Sequence, residues 1–319
     1  MPRTIVVSSP GKLIIGGEHA VVYGRRALVT SIGRRLYMQL NEDEQSEQRE
    51  IHVALLDKNE TYSIDFSRTK DAYPMEIQAI MFIADYFQFN HRIDLQVRSE
   101  IPIGAGLGSS AAFSVCLVGC FYLLRNANFD REKINQLAYE VECLFHGTPS
   151  GIDNTISTYG QSLLYSRTSQ KHLDFRLSNL AIVDTGIPKS TKRMVDLVRS
   201  FVEHNPEQGA EILTEIERCV DRMVEHPHEI NQLFQTNQQL LKKLGVSIPA
   251  IDQIIEKLST WNISAKITGA GGGGCLIALT SNYTKDQVLN LLKENSIKSI
   301  ELVECGVEGL REEQTLLLK

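Results

Sequence analysis

The first half of the chain is written in short apolar runs, the second in longer runs of helical period. Thr4–Ser8, Leu28–Ile32, Leu36–Leu40, Ile51–Leu56 and Tyr62–Phe66 are β-branched or aromatic stretches between polar turns, the pattern of strands. The charged stretch Asn41–Glu50 reads as a solvated hairpin tip or loop. A helix is predicted from Pro74 to Phe87 and a strand from Ile93 to Ile101. A glycine-rich segment at 104–108 then opens an apolar helix, about Ser110–Leu124. Asp130 caps the next helix, whose apolar positions 134, 137, 138, 141, 144 and 145 keep the 3.6-residue period. Four helical segments follow near 189–204, 207–225, 229–244 and 248–259. A strand (265–268), a glycine run, a strand (275–280), a helix (284–294) and a strand (298–304) close the pattern. That order suggests an α/β sandwich, with a boundary near Thr185–Pro188 that divides the chain into units 1–185 and 186–319.

Composition narrows the function. The chain has 319 residues, 42% of them hydrophobic, and 39 acidic against 33 basic residues give a net charge of -6. That length buries a real core, and that charge argues against a general polyanion-binding surface such as nucleic acid needs. A small acidic substrate could still meet a local cationic pocket. The most apolar stretch, Ala111–Leu124, falls short of the ~18 residues that span a bilayer, and Met1–Ser9 lacks the apolar core of a secretory signal. Six cysteines show no CxxC pair, and Cys116 and Cys120 lie at helical spacing among apolar neighbours, which favours core packing over metal or redox chemistry. A soluble cytoplasmic protein with neither nucleic acid nor membrane as partner is expected.

Four segments carry candidate chemistry. Pro102-Ile-Gly104-Ala105-Gly106-Leu107-Gly108-Ser109-Ser110-Ala111 follows a strand and opens a helix, so its backbone N–H groups suit a polyphosphate. It is not a Walker A loop, because no Lys precedes the serines, and it lacks the third glycine of a dinucleotide fingerprint. A tight turn would use many of the same residues. Ser9-Pro-Gly-Lys12-Leu-Ile-Ile-Gly-Gly-Glu18-His19 sets three polar groups among small and apolar ones, where an ordinary surface or satisfied core residue is the plainer reading of each. Thr268-Gly269-Ala-Gly271-Gly272-Gly-Gly274 joins two predicted strands and allows close backbone approach or simply a flexible turn. In His146-Gly-Thr-Pro-Ser-Gly-Ile-Asp153-Asn154, Ser150 or Asp153 could cap a short helix.

In this order and at these separations the four segments resemble the signature set of the GHMP small-molecule kinases. PGKLIIGGEHAVVYG, IPIGAGLGSSAA, FHGTPSGIDN and KITGAGGGGC are most similar to the mevalonate-phosphorylating branch, and IPKSTK (187–192) and NQQLLKKLGV (237–246) agree. Two departures stand out: Gly16-Gly17 replaces a bulkier residue before the Gly-Glu-His step, and the chain looks shorter than animal forms. The resemblance implies an α+β, two-domain GHMP kinase fold. Its N-terminal α/β domain has a left-handed β-α-β crossover, and its C-terminal domain is a ferredoxin-like α/β sandwich.

The resemblance also implies ATP and Mg²⁺ as cofactors and phosphorylation of the primary hydroxyl of mevalonate. The ATP phosphates would lie over the loop from Pro102 to Ser110. Asp153 would act as base beside Lys12, Ser110 and Glu142 would ligate Mg²⁺, and Gly269, Gly271 and Gly272 would form a support loop. Glu18 and His19 look like substrate-binding groups. For the substrate carboxylate the candidates are His19, Arg167 and Thr191. Another GHMP kinase, such as a phosphomevalonate kinase or a mevalonate 3-kinase, or a silent ligand sensor of the same fold, remains the alternative, and a homodimer is left open.

Overall fold

The computed structural model describes residues 3–102, 105–280, 283, 287 and 299–314. Two long strands frame the first half: β1 (Arg3–Gly16) and β2 (Ala27–Asp43) pair antiparallel. The sequence pattern suggested shorter pieces, Thr4–Ser8, Leu28–Ile32 and Leu36–Leu40. The structure carries both strands through, because the register shifts between Pro10 and Gly11 and absorbs the interruption as a bulge. Gly33 and Arg34 drop out of the ladder there, and the Gly33 N–H donates to the Glu304 carbonyl at 2.8 Å.

Next come the hairpin β3 (Glu50–Leu55) and β4 (Glu60–Ile64), helix α1 (Met75–Tyr86) and strand β5 (Arg92–Ser99). β5 runs parallel to β3 and antiparallel to β2, so α1 lies in the crossover connection. The charged stretch expected as a loop is partly strand, since β2 runs on to Asp43 and β3 begins at Glu50. Helix α2 (Ser109–Arg125) buries 13 of its 17 residues, so it is apolar all round and lies inside the domain. Cys116 and Cys120 point their thiols at the carbonyls of Leu36 and Met38, which confirms them as core residues. Helix α3 (Arg131–His146) starts as expected, with the Asp130 side chain accepting from the Lys133 N–H at 3.1 Å.

Helix α4 (Ile152–Tyr159) follows, then β6 (Ser162–Ser166), paired with β2, and its hairpin partner β7 (Ser169–Leu173). The second sheet begins with β8 (Leu180–Asp184). Four helices, α5 (Thr191–His204), α6 (Pro206–Glu225), α7 (Ile230–Lys243) and α8 (Pro249–Thr260), match the periodic segments of the sequence. β9 (Ser264–Ile267), β10 (Cys275–Leu279) and β11 (Ser299–Val303) complete an antiparallel sheet in the order β11-β8-β10-β9. The helix expected at 284–294 lies, but for Gln287, outside the described residues.

The chain then returns to the first sheet. Cys305 bridges to Ile32, Glu308 to Gly160, and β12 (Arg311–Glu312) pairs with β1. The first sheet therefore reads β12-β1-β2-β5-β3-β4, with β6 and β7 attached through β2. Sheet membership thus differs from the 1–185/186–319 division: β8 belongs with the second sheet and residues 305–312 with the first. Arg35, 4% exposed, locks this return by donating to Ser8 Oγ (2.7 Å) and to the carbonyls of Glu308 (2.8 Å) and Gly309 (2.6 Å). No helix among the described residues is long and apolar enough to cross a membrane.

Candidate active site

A cavity of about 1070 Å³ lies where the first sheet, the start of α2 and the first turns of α5 meet. Its floor is built by local backbone geometry. The Lys12 N–H donates to the Leu107 carbonyl at 2.8 Å, which ties β1 to the glycine-rich segment. Gly108 caps α2 at φ 77°, and a Cβ there would fall 2.9 Å from Lys12 Cγ, so only glycine lets the loop lie against the lysine stem. The N-terminus of α2 then faces the cavity with unpaired N–H groups and the positive end of its dipole. Pro102, Gly106, Leu107, Gly108, Ser109 and Ser110 line this part. Ala105 contributes its carbonyl, which accepts from Lys189 Nζ at 3.0 Å. Gly104 lies outside the described residues.

Beside the loop sits a buried carboxylate. Glu142 on α3 is 2% exposed and accepts from Ser110 Oγ (3.3 Å) and Ser114 Oγ (2.9 Å). Burial pushes its carboxyl up to about 7; the two hydroxyls oppose the shift and the Asp153 charge adds to it. His146 Nε2 lies 3.0 Å from Ser110 Oγ. A hydroxyl and a carboxylate oxygen within 3.3 Å of each other are the hard donors that Mg²⁺ takes. No cluster of three metal-ligating His, Cys, Asp or Glu side chains exists among the described residues, so a Mg²⁺ here would draw its other ligands from phosphate and water.

Asp153 stands across from this cluster. Gly151, at φ 81°, is the N-cap of α4; the Ser150 hydroxyl accepts from the Ile152 N–H at 3.4 Å, and Asp153 does not cap the helix with its side chain. The Asp153 carboxylate is thereby released toward the cavity, where Oδ1 meets Lys12 Nζ at 3.2 Å. Lys12 is 8% exposed and Asp153 36%, so the pair has one sealed and one open partner.

Glu18 and His19 also reach the cavity wall. Gly17, at φ 97°, packs so closely on β2 that a Cβ would come 2.5 Å from Ala27 Cα, which accounts for a glycine before Glu18. The Glu18 carboxylate pairs with the fully buried Lys266, and burial pushes the acid up and the amine down against their mutual attraction. His19 sets Nε2 2.9 Å from the Ala270 carbonyl, and burial lowers its pKa.

Two of the expected site groups lie wholly or partly off the cavity. Arg167 is exposed in the turn between β6 and β7 and does not line the cavity, because the hairpin carries it outward. Gly269 lines the cavity, whereas Gly271 and Gly272 pack away from it, with the Gly272 N–H donating to the Val246 carbonyl at 2.8 Å. Thr191 is on the wall, at the start of α5.

Sequence reasoning missed Lys189, Lys192, Arg199, Ser114 and Lys266. The first three enter the cavity from the segment leading into α5 and from α5 itself. Burial and the nearby Lys12 charge lower the pKa of Lys189. Ser114 was legible as Ser110 plus four on one helix face, and Lys266 as a lone charge in the apolar run of β9.

Residues 75–161 match the family model of the GHMP kinases N terminal domain, and residues 224–298 that of GHMP kinases C terminal. The mevalonate kinase of Archaeoglobus fulgidus is 33% identical over 97% of this chain and 100% of its own length. Among solved structures, the Methanococcus jannaschii mevalonate kinase superposes with a TM-score of 0.80 at 26% identity, covering 96% of this chain and 99% of that one. The L. major mevalonate kinase in complex with R-mevalonate gives 0.77 at 25% identity, covering 95% and 96%. With one relative a third identical along its whole length and both halves matched to family models, this chain belongs to the GHMP kinases, in the mevalonate kinase family.

Proposed function

We propose that this protein transfers the γ-phosphoryl group of ATP to the primary hydroxyl of mevalonate, giving 5-phosphomevalonate. The observation that carries the residue assignment is the Lys12–Asp153 pair, 3.2 Å apart, beside the N-terminus of α2 in a single cavity. An alcohol is a poor nucleophile, so Asp153, open to the cavity, accepts or orients its proton. Lys12 holds Asp153 in place and offers positive charge to the transferring phosphoryl oxygens. The first turn of α2 and Lys189 bind the ATP phosphates, and the apolar end of the cavity, with Leu36, Leu55, Val97 and Phe113, receives the base. Ser110 and Glu142 hold Mg²⁺, which when bound neutralises charge on the phosphates. Glu18 and His19 line the substrate end, with Thr191 and Lys192 at its rim. Six scattered cysteines with no CxxC pair, five of them buried, fit a reducing compartment, and we place the protein in the cytoplasm on that ground.

A second reading has one observation in its favour. Lys189, Lys192 and Arg199 bring charge to the cavity from a distance in sequence, and a phosphorylated substrate could use such donors. Incubation with Mg·ATP and, separately, mevalonate, 5-phosphomevalonate, galactose and homoserine separates the two, with the new phosphate located by ³¹P NMR. A primary phosphate ester formed from mevalonate is expected. Preferred turnover of 5-phosphomevalonate, or phosphate on the tertiary hydroxyl, would overturn the proposal.

A further inference from the structure

Asp153 sits in the first turn of α4, and that turn is loosely wound. The Gly151 carbonyl accepts from the Thr155 N–H at 3.4 Å and more closely from the Thr155 hydroxyl, at 2.7 Å, so its backbone bond does little to fix the helix start. The segment before it bends at two glycines of positive φ, Gly147 at 71° and Gly151 at 81°. Residues 148–154 line the cavity, so one side of this segment has nothing to pack on. What holds it must come from the other side.

Buried contacts on both flanks of Asp153 supply that hold. After it in the chain, the Asn154 amide donates to Asn135 Oδ1 on α3 at 2.7 Å. Before it, the Tyr165 hydroxyl donates to the Ser150 carbonyl at 2.7 Å. A second tyrosine reaches the same loop, but Tyr139 is 37% exposed and meets the Pro149 carbonyl only at 3.4 Å. Tyr165, on β6, is 6% exposed and packs with Val21, Ile152 and Ile156 in a small apolar cluster apart from the main core. The cluster that seats α4 therefore also seats the ring, and the hydroxyl is a fixed point from which the loop hangs. Burial pushes the phenol up, so it remains a protonated donor. Tyr165 does not line the cavity and acts only through the chain it holds.

We propose that Tyr165 is a positioning residue: through the Ser150 carbonyl it fixes the start of α4 and so aims the Asp153 carboxylate at the attacking hydroxyl. The proposal rests on Asp153 as the base. Its test is a double-mutant cycle, with kcat and the KM values for mevalonate and ATP measured in the wild type, Tyr165→Phe, Asp153→Asn and the double variant. Phenylalanine keeps the packing of the ring and removes only the bond. Tyr165→Phe is expected to lower kcat roughly tenfold with the KM for ATP within about twofold, since a misplacement of ~1 Å can cost up to about 10²-fold. In the Asp153→Asn background the same replacement lowers kcat by less than about twofold, because the group it aims is gone. Tyr139→Phe, which loses only a long bond, stays within about twofold of the wild type. Should Tyr165→Phe not fold, Tyr165→His, whose shorter ring also forfeits the bond, carries the same cycle.

An unchanged kcat in folded Tyr165→Phe would overturn the proposal. So would a full loss repeated in the Asp153→Asn background, the mark of a tyrosine that serves the fold alone. An equal loss in Tyr139→Phe would overturn it as well, since the effect would then belong to the loop and not to this bond. Near-normal turnover by Asp153→Asn would remove the base and this proposal with it, and that variant, read on its own, shows this failure separately.

Discussion

Two lysine–carboxylate pairs lie at or behind the cavity wall and differ in their contact with water. Glu18 and Lys266 are wholly enclosed, whereas Lys12–Asp153 leaves its acid 36% exposed. The sealed pair joins two sheets and has no room for a reacting atom between its charges. The open pair holds an acid on one side and leaves the other side free for a hydroxyl. The same two functional groups thus serve assembly in one place and chemistry in the other, and solvent access is what separates them.

Breaking each pair should expose that difference. Lys266→Met strands a buried carboxylate and is expected to lower unfolding free energy by roughly 3–5 kcal/mol, read as a fall in the urea midpoint. Lys12→Met should cost only a small part of that, because Asp153 keeps water; equal losses would erase the distinction. Asp153→Asn is expected to lower kcat roughly 10²-fold or more with an almost unchanged urea midpoint. Near-normal turnover by the folded variant removes Asp153 as base.

Smaller effects sharpen the picture. Thr268→Val deletes both bonds to Ile14 beside the sealed pair and should cost about 1–2 kcal/mol. A loss as large as that of Lys266→Met would show that the joint between the sheets, not the charge, sets the scale. Ser110→Ala and Glu142→Ala should each raise the Mg²⁺ concentration for half-maximal rate several-fold, and unchanged titrations in both would remove the metal assignment. The smallest effect is a pH dependence. Burial holds His19 below its ordinary value of 6.5, so the unfolded chain takes up the proton first. The stabilisation is present above that value and is lost as pH falls below it. Between pH 7.5 and 5.5 the wild-type melting temperature should therefore fall more than that of His19→Gln.

The parts of the site legible in sequence are those whose chemistry is packed into consecutive residues. Gly108, Ser109 and Ser110 had to be neighbours to form a loop and a helix start, and Asp153 stood in a short polar cluster that could be quoted whole. The cations Lys189, Lys192 and Arg199 were given no role, although the first two stood in the quoted IPKSTK, because α5 and the segment leading into it belong to the second half and reach the cavity only by tertiary packing. Arg167 failed for the converse reason: closeness in sequence to the substrate-facing segment says nothing of which way a hairpin turn points. In the fold, helix periods were reliable, while β1 and β2 were read as shorter runs, because a bulge can carry a strand pair across an interruption such as Pro10 or Gly33. The placement of β8 in the second sheet depends on pairing with β10 and β11, partners distant in the chain.

The Arg35 lock has a consequence in time. Its guanidinium waits for the carbonyl of Glu308, 273 positions later in the chain. At ribosomal speeds of about 5–20 residues per second, that is a delay on the order of 15 to 55 seconds. Through that interval the first sheet lacks the strand that flanks β1, and a cation destined for the interior stays hydrated at its border. The nascent first domain is therefore an unfinished object until residues 305–312 have been made. Its border is closed by a segment that follows every strand of the second sheet, so completion of the first sheet waits on synthesis of the second.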